Sequence, residues 1–406
     1  MNQNWNKSTL GNLLTLIIDY RGKTPKKLGG EWQENGIPAI SAKNIKKGTI
    51  VRKDTIKYVS DNLYNKWMKD KLRPHDIILT SEAPLGELLY LKKDCHFLLS
   101  QRLYALRCNK NKIVSKYLYY YLESRIGQNE LHSRGTGSTV KGIRQTLLKE
   151  VNVTYPENLI QQKIASVLSA YDDLIKKNTR KIEILEEMIQ RVYKEWFINQ
   201  DIEERSILEI PYFTFLKQNI KKFDGLKRYY ATADVEGTNF VKDGINYDYK
   251  SKPSRAQKKP ILNSIWFARM KDSYKIAIFT KVNALQAENS ILSSGFAGFS
   301  SKDMHFGFLY STISSNFFDR LKNLYGTGAT QISLNNNGLS KIYVPYPNEE
   351  KVLEFSNIVN PIIDKSILIK NINKNLIETR DYLLPKLISG KVDVSDLDID
   401  TSILDD

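Results

Sequence analysis

Several short motifs in this 406-residue chain have residue types that could bind phosphate or metal. Gly22-Lys23-Thr24 has the form of the end of a phosphate-binding loop, which also requires a glycine five residues before its Gly-Lys pair. Ile17 occupies that position, so a basic surface turn that can still touch a phosphate backbone is the better interpretation. The four histidines have no metal-binding spacing, and the adjacent Cys95 and His96 would face opposite sides of a strand.

Motifs for nuclease or methyltransferase chemistry are equally poor. A nuclease needs clustered acids and a lysine around Mg²⁺. Asp248-Tyr249-Lys250 and Glu349-Glu350-Lys351 have acid-x-Lys spacing, but neither follows a Pro-Asp in a strand pair. A DNA methyltransferase should show an Asn/Asp-Pro-Pro-aromatic motif, of which Asn360-Pro361-Ile362 is a poor match. We therefore expect no catalytic residue, no metal and no cofactor in this chain.

Basic residues interleaved with aromatic and amide side chains suggest nucleic-acid binding instead. Arg and Lys neutralise phosphates or read guanine, whereas Gln and Asn read adenine. The Gly-Thr-Gly segments at 135–137 and 326–328 are the strongest candidates, because glycine allows close backbone approach. Their alternative role is that of a tight connector. The DNA-binding candidates are Arg21, Lys23, Lys43, Asn44, Gln101, Arg102, Arg134, Thr136, Ser138, Lys141, Arg228, Arg269, Thr327, Thr330 and Gln331.

The net charge of +16 is concentrated in two segments. Residues 1–155 carry a net +14 and residues 200–346 a net +7, while the last residues, 391–406, are acidic. Two basic segments indicate two modules that face a polyanion, and double-stranded DNA is the expected partner. The longest apolar stretches are too short to span a bilayer, and Cys95 and Cys108 form no disulfide framework. A cytoplasmic protein without membrane attachment is expected.

The chain contains a long internal repeat. Gly135-Thr136-Gly137-Ser138-Thr139 recurs 191 residues later as Gly326-Thr327-Gly328-Ala329-Thr330, and Tyr155-Pro156 recurs at the same offset as Tyr346-Pro347. Apolar positions between and beyond these landmarks also match without a gap. The sequence therefore predicts a tandem duplication of one unit rather than an array of short repeats.

Each repeat ends in a predicted long helix. Residues 157–197 contain neither proline nor glycine, and their apolar positions alternate between spacings of four and three. Residues 348–389 show a similar pattern, in which Pro361 and Pro385 are expected to introduce kinks. Candidates for the coiled-coil seam, which would also serve partner binding, are Ile164, Tyr171, Asn178, Leu185, Val192, Phe355, Ile362, Leu376 and Leu383.

Two neutral amphipathic helices of matched length need a partner for their apolar stripes. Antiparallel pairing with each other is the preferred interpretation, and packing of each helix on its own domain is the alternative. The predicted fold is α+β, with two α/β domains separated by two antiparallel coiled-coil helices in a pseudo-twofold tandem repeat. The domains are 1–155 and 200–346, the helices 156–199 and 347–390, and the acidic tail 391–406, which is expected to be solvated and frayed.

The sequence resembles the DNA specificity subunits of type I restriction–modification systems over nearly its whole length. The opening 19–25, Gly36-Ile37-Pro38, Asn44-Ile45 and the segment 76–80 are similar to the family's target recognition domains. The most specific similarity is the close of the second helix, Leu-Leu-Pro-Lys-Leu-Ile-Ser-Gly-Lys-Val at 383–392. Residues 200–330 match the family's opening pattern poorly, so the resemblance assigns no contacts there.

The resemblance implies that each recognition domain reads one half of a split DNA site and that the helices set the gap between the halves. It further implies two methyltransferase (modification) subunits docked on the helices, with restriction (motor-nuclease) subunits joining that complex. Adenine methylation, DNA cleavage, S-adenosylmethionine and ATP would belong to those other chains.

Two other classes of function remain as alternatives. A complete single-chain nuclease or methyltransferase would need motifs that this sequence lacks. An interaction scaffold would explain the neutral helices but not the two basic domains, and a steep loss of DNA affinity with salt would distinguish a DNA reader from it.

Overall fold

The computed structural model describes residues 5–328 and 331–402, which form helices and strands in two compact units. The first unit runs to Leu174 and resumes at Leu376, and the second comprises Ile175–Asn375. Each unit therefore contains one globular part of the chain together with portions of both long helices. The mixed helix-and-strand class and the two long helices predicted from the sequence are confirmed.

The globular part of the first unit contains eleven strands and five short helices among its described residues. Its strands are β1 (Asn6–Thr9), β2 (Leu14–Asp19), β3 (Ile37–Ile40), β4 (Ile45–Lys46), β5 (Thr49–Ile50), β6 (Lys57–Val59), β7 (Ile77–Ser81), β8 (Leu85–Tyr90), β9 (Leu98–Leu99), β10 (Leu103–Cys108) and β11 (Asn152–Tyr155). Its helices are α1 (Leu10–Leu13), α2 (Asp61–Trp67), α3 (Ser115–Glu123), α4 (Arg125–Ser133) and α5 (Gln145–Lys149).

The first long helix, α6 (Asn158–Tyr193), continues as a π-helical turn over Lys194–Ile198. The second unit then provides β12 (Glu204–Ser206), β13 (Thr214–Phe215), β14 (Lys227–Tyr230), β15 (Val235–Glu236), β16 (Asn239–Phe240), β17 (Ile245–Tyr247), β18 (Ala256–Lys258), β19 (Ser264–Ala268), β20 (Ile276–Phe279), β21 (Ser290–Ser293), β22 (Phe296–Ser300) and β23 (Tyr343–Pro345). Its helices are α7 (Ala284–Glu288), α8 (Phe306–Ile313), α9 (Asn316–Leu324) and α10 (Asn336–Ser340), and the second long helix is α11 (Glu349–Ile388).

The main sheet of the first unit has the order β2-β10-β7-β8, with antiparallel neighbours. A smaller sheet, β6-β3-β9, pairs β3 in parallel with β9. Strand β7 is buried along its whole length, so one face of the main sheet packs on α3 and α6 and the other on the smaller sheet. The four tyrosines at 117 and 119–121 are buried on α3, which agrees with helix packing rather than base stacking.

The second unit repeats this plan. Its main sheet has the order β13-β22-β19-β20, and its second sheet, β17-β14-β21-β18, again contains one parallel pair, β14 with β21. A two-stranded pairing joins β1 to β11 in the first unit and β12 to β23 in the second. The corresponding elements confirm the tandem repeat.

The long helices pair antiparallel. In the second unit, Asn178 Nδ2 donates to Asn373 Oδ1 over 2.9 Å, and Glu186 Oε1 accepts from Lys370 Nζ over 2.7 Å. In the first unit, Asp172 Oδ1 accepts from Arg380 Nη1 over 2.7 Å. Within each unit the helices also bury apolar faces against the globular core, so both modes of packing considered from the sequence occur.

Helix α11 continues through both Pro361 and Pro385, so the kinks expected at these prolines stay predictions. One expectation about the C-terminal part needs correction. The segment after α11 is not a frayed end over its described residues. Val394 is only 2% exposed, and Lys163 Nζ donates to Ser395 O over 2.6 Å, because apolar residues between the acids complete the first core.

No helix in the described part of the chain is both long enough and apolar enough to cross a lipid bilayer.

Candidate nucleic-acid interface

The Gly-Thr-Gly segment of the first unit forms a loop that is closed at its base and fixed to the end of β7. Thr136 and Gly142 exchange two backbone hydrogen bonds of 2.8 and 2.9 Å, and Ile143 N donates to Ser81 O over 2.9 Å. Gly137 has φ +112°, and a Cβ at this position would lie 2.4 Å from Val140 O. Glycine is therefore required here, and the exposed residues 138–141 project from a fixed backbone.

Several other candidates lie around the base of this loop. Glu82 forms an isolated β-bridge with Gly142, and its carboxylate forms an ion pair with Arg102 Nε at 3.0 Å. Gln101 is exposed, and its carbonyl accepts a hydrogen bond from Ala42 N, which places the exposed Lys43 on the adjoining turn. The structure thus brings Lys43, Gln101, Arg102 and the loop residues Thr136, Ser138 and Lys141 together.

Three of the basic candidates are held by internal contacts. Arg21 forms a two-pronged ion pair with Asp19 at 2.9 Å, donates to Ile143 O and lies 3.9 Å over the ring of Tyr104. Lys23 Nζ donates to Trp67 O over 2.9 Å. Arg134 pairs with Glu130 one helical turn earlier, at 2.7 Å. These contacts make Arg21 a support of the loop base rather than a free base reader.

Asn44 does not fit its expected role as a DNA contact. It is 1% exposed, and its Oδ1 accepts from Ser41 N and Oγ while its Nδ2 donates to Val51 O, Arg52 O and Thr55 Oγ1. Its amide is fully used in shaping the turn before the β4–β5 hairpin. The spacing Ser41-x-x-Asn44 is a capping signal that the sequence already contained.

The second unit builds an equivalent loop with the same backbone contacts. Thr327 and Ser333 exchange two backbone hydrogen bonds of 3.0 Å, and Leu334 N donates to Arg269 O over 2.8 Å. Gly328 has φ +133°, and a Cβ there would lie 2.4 Å from Gln331 O. Met270 bridges to Ser333 as Glu82 bridges to Gly142 in the first unit. Over their described residues, the two loops thus have matching backbone contacts and different side chains.

Polar side chains of the second loop form hydrogen bonds with neighbouring side chains. The exposed Gln331 donates from Nε2 to Met270 Sδ over 2.9 Å, and Asn335 Nδ2 donates to Thr327 Oγ1 over 3.0 Å. Arg269 donates to Leu334 O and Asn336 Oδ1, and burial lowers its pKa. Arg269 therefore supports this loop from below.

The last two candidates of the second unit are Arg228 and Thr330. Arg228, on β14, donates from Nε to Asn246 Oδ1 over 3.4 Å, on the second sheet of this unit. Thr330 lies outside the described residues. Within the ranges 5–328 and 331–402, no three His, Cys, Asp or Glu side chains are grouped so that they could hold a metal ion.

Known proteins are similar to this chain in sequence and in fold. A family model, the type I restriction modification DNA specificity domain, matches residues 2–187. The MjaIX specificity subunit of a type I restriction enzyme from Methanocaldococcus jannaschii is 26% identical over 93% of this chain and 91% of its own length. The HindI specificity subunit from Haemophilus influenzae is 21% identical over 80% of this chain and 88% of its own length. The chain resembles the specificity subunits of type I restriction enzymes over most of its length, and residues 2–187 match their DNA specificity domain.

A solved structure shows the same likeness at the level of the fold. The S subunit of a type I restriction–modification system from M. genitalium superposes with a TM-score of 0.59, covers 95% of this chain and 96% of its own, and is 17% identical. At this identity the likeness concerns the fold alone. It assigns no contacts to individual residues of this chain.

The residues predicted for the coiled-coil seam differ in burial and in the neighbours that they contact. Ile164 is buried in the first core, and Phe355 packs on Tyr193 and Phe197 in the second, with ring centroids 6.1 and 5.0 Å apart. Asn178 bonds to Asn373 across the helix pair. The remaining seam candidates are half-buried, namely Tyr171, Leu185, Val192, Ile362, Leu376 and Leu383.

Sequence reasoning missed the anchors of both loops. Glu82 and Met270 hold equivalent places, yet neither residue type suggests such a role, and both are distant in sequence from the loops they meet. It also missed the equivalence of two hairpins, in which Ile45 pairs with Ile50 and Val235 with Phe240. Both hairpins have a capping residue followed by a two-residue turn. Glycine occupies a different position in each turn, so the similarity is difficult to see in the sequence.

Proposed function

We propose that this specificity subunit reads a bipartite DNA site, with one Gly-Thr-Gly loop facing each half. The observation that carries the proposal is the pair of loops with the same backbone bonds and different exposed side chains. Equivalent backbones would approach two stretches of duplex in the same manner, and different side chains would read different bases. An asymmetric split site follows from such a pair.

The basic charge around the first loop supports contact with phosphates. Lys43, Arg102 and Lys141 are exposed in the group of candidates that the first loop brings together. Contacts with several phosphates would release counterions, so affinity for DNA should fall steeply as salt rises. A scaffold that joins only proteins would not show this dependence.

Partner binding is assigned to the long helices. Several apolar side chains on them remain exposed, among them Met188 (46%) on α6 and Leu368 (52%) and Ile372 (41%) on α11. Exposed apolar residues on elements of nearly neutral charge suit a protein partner better than DNA. We assign these surfaces to modification subunits, two in number, through which restriction subunits would join the complex.

The division of labour in the complex follows from the same assignments. Residues 1–155 and 200–346 would serve as the two target recognition domains, and 156–199 and 347–390 as the spacer helices between them. Methyl transfer and cleavage would belong to the partner chains, because this sequence lacks their motifs. We expect the assembly in the cytoplasm, since a chain with only two cysteines has no disulfide framework.

The direct test is methylation of DNA in the presence and absence of this chain. The full chain is co-expressed with a candidate modification subunit, and adenine methylation is mapped on a random-sequence duplex library. We expect methylation only with this chain present, at a split motif with a fixed gap. Methylation by the partner alone at the same motif, or cutting or methylation by this chain alone, contradicts the proposal.

A matched pair of lysine variants separates the loop from general charge. Lys141→Ala removes an exposed lysine of the first loop, whereas Lys110→Ala removes an exposed lysine of the turn after β10, at the opposite end of that strand from Arg102. The first variant should weaken methylation and reduce its salt dependence, and the second should change neither. Equal effects of the two variants would argue against a role for the loop.

A further inference from the structure

The two loops present different side chains at one equivalent position, which is Val140 in the first loop and Gln331 in the second. Gln331 occupies the place that Val140 occupies in the first loop. In each case a Cβ added to the required glycine, Gly328 or Gly137, would lie 2.4 Å from the carbonyl oxygen of that residue. Both side chains are exposed. The same backbone position thus presents a carboxamide in one unit and an apolar group in the other.

The carboxamide of Gln331 is oriented by a neighbour on the sheet. Its Nε2 donates to Met270 Sδ over 2.9 Å, and Met270 is itself fixed by its bridge to Ser333 at the base of the loop. A glutamine on an exposed loop normally samples several rotamers, which costs conformational entropy when it binds. The thioether contact reduces that cost, because it holds the amide plane in one orientation.

We propose that Gln331 reads an adenine in one half of the DNA site and that Met270 is its positioning residue. The inference rests on the proposed function. Adenine presents an N7 acceptor and an N6 amino donor in the major groove, which a glutamine carboxamide matches with one N–H and its carbonyl oxygen. Thioether sulfur is a weak acceptor that uses only one of the two N–H groups of Nε2. The second N–H and Oε1 are therefore available for the base.

The surroundings of Gln331 favour a base over a phosphate as its partner. Ile332, the next residue of this loop, and Met270, its neighbour on the sheet, are uncharged, whereas the first loop has Lys141 and Glu82 at the equivalent places. Two basic residues nearby are tied to the loop by other contacts, since Lys271 N donates to Ile332 O and the Arg269 guanidinium donates to Leu334 O. An uncharged carboxamide gains little from a phosphate compared with lysine or arginine, but it discriminates between bases.

The test maps the methylated motif with the full chain in complex with its modification subunit, on the random-sequence library. Gln331→Ala should relax one A·T position in one half of the motif about ten- to hundredfold and leave the other half unchanged. Gln331→Glu, which can only accept, should shift that same position towards C·G, because cytosine N4 donates. Met270→Leu retains volume without an acceptor and should relax the same position more weakly.

Gln200→Ala is the matched control, since Gln200 is an exposed glutamine of the same unit whose amide donates to Glu195 O. It should leave every position of the motif unchanged. An unchanged motif with Gln331→Ala and Gln331→Glu, or relaxation at a G·C position, overturns the inference while leaving the proposed function intact. If the wild-type chain directs no sequence-dependent methylation, the proposed function and this inference are both rejected.

Discussion

Lys370 Nζ lies 2.7 Å from Glu186 Oε1 and 2.7 Å from Thr238 Oγ1, so one largely buried ammonium group joins both long helices to the β15–β16 hairpin of the second unit. Burial lowers the pKa of Lys370, and the Glu186 carboxylate opposes that shift. This one ammonium group therefore connects both long helices to the globular part of the second unit.

Removal of the acid in this pair should destabilise the second unit. We expect Glu186→Gln to lower the free energy of unfolding by about 2 kcal/mol near neutral pH, because a charged ammonium group is left without its counter-charge. The loss should shrink as pH rises towards the pKa of an exposed lysine, since a neutral amine needs no counter-charge. Urea unfolding at several pH values measures both effects.

Glu183→Gln provides the matched control for that variant. Glu183 lies on the same helix and pairs with Arg180, but the two side chains are 53% and 61% exposed. Exposed pairs contribute little, so its unfolding curve should coincide with that of the wild type. Equal destabilisation by the two variants would show that burial of the Lys370 pair has no special effect.

Glu123 should make the stability of the first unit depend on pH. The pKa of this carboxyl is raised to about 7, mainly by burial and also by Asp172 and Asp381, while Arg380 and Lys116 oppose the rise. The folded chain then keeps its proton at a pH where the unfolded chain has lost it. The contribution of Glu123 is fully present below about pH 4.5 and is lost as pH rises through 7.

Replacement by Glu123→Gln should remove this dependence. The variant should gain about 2 kcal/mol relative to the wild type between pH 5 and pH 8, measured by chemical unfolding at each pH. Glu150→Gln, which alters an exposed acid of the same unit, should give a constant difference over that range. A constant difference for Glu123→Gln as well would contradict the raised pKa.

Asp76 is a second buried acid with a defined partner. It is 1% exposed and accepts from Arg107 Nε and Nη2 at 2.9 and 2.8 Å. Asp76→Ala should lower the free energy of unfolding by about 3 kcal/mol, because it leaves a largely buried guanidinium unpaired. Thermal or urea unfolding checks this, and the double variant Asp76→Ala, Arg107→Met should recover part of the loss if the unpaired charge is its cause.

Gly137 should be required for recognition more than for folding. Gly137→Ala forces a Cβ within 2.4 Å of Val140 O at φ +112°, so the loop must change its shape. We expect methylation directed by the complex to fall about tenfold or more, with a loss of stability near 1 kcal/mol. Gly29→Ala, at φ +73° with no atom within 4 Å of the added Cβ, should give a similar stability loss with normal methylation.

Periodic and repeated features of this chain were predictable from its sequence, because they depend on local pattern. The long helices begin close to their predicted starts, at Asn158 and Glu349, and the second one ends close to its predicted end, at Ile388. The Gly-Thr-Gly loops were recognisable because glycine at positive φ leaves a direct trace in the sequence.

Contacts between residues distant in sequence were not predictable in this way. Asn44 was expected at the surface because a polar residue in a basic segment usually is, but its amide satisfies a buried turn. The role of Met270 depends on its neighbour Gln331, 61 residues later, and no spacing rule connects the two. The acidic C-terminal segment was expected to be solvated, although Val394 completes an apolar core.

The base of each recognition loop is held by main-chain hydrogen bonds and by one obligatory glycine, and the side chains that differ between the loops take little part in that support. Under the proposed function, the atoms that stabilise each loop therefore differ from those that would set its DNA preference. A descendant of this chain could exchange Gln331 or Lys141 and acquire a new target with almost no loss of stability. Such separation makes a change of target accessible by single substitutions.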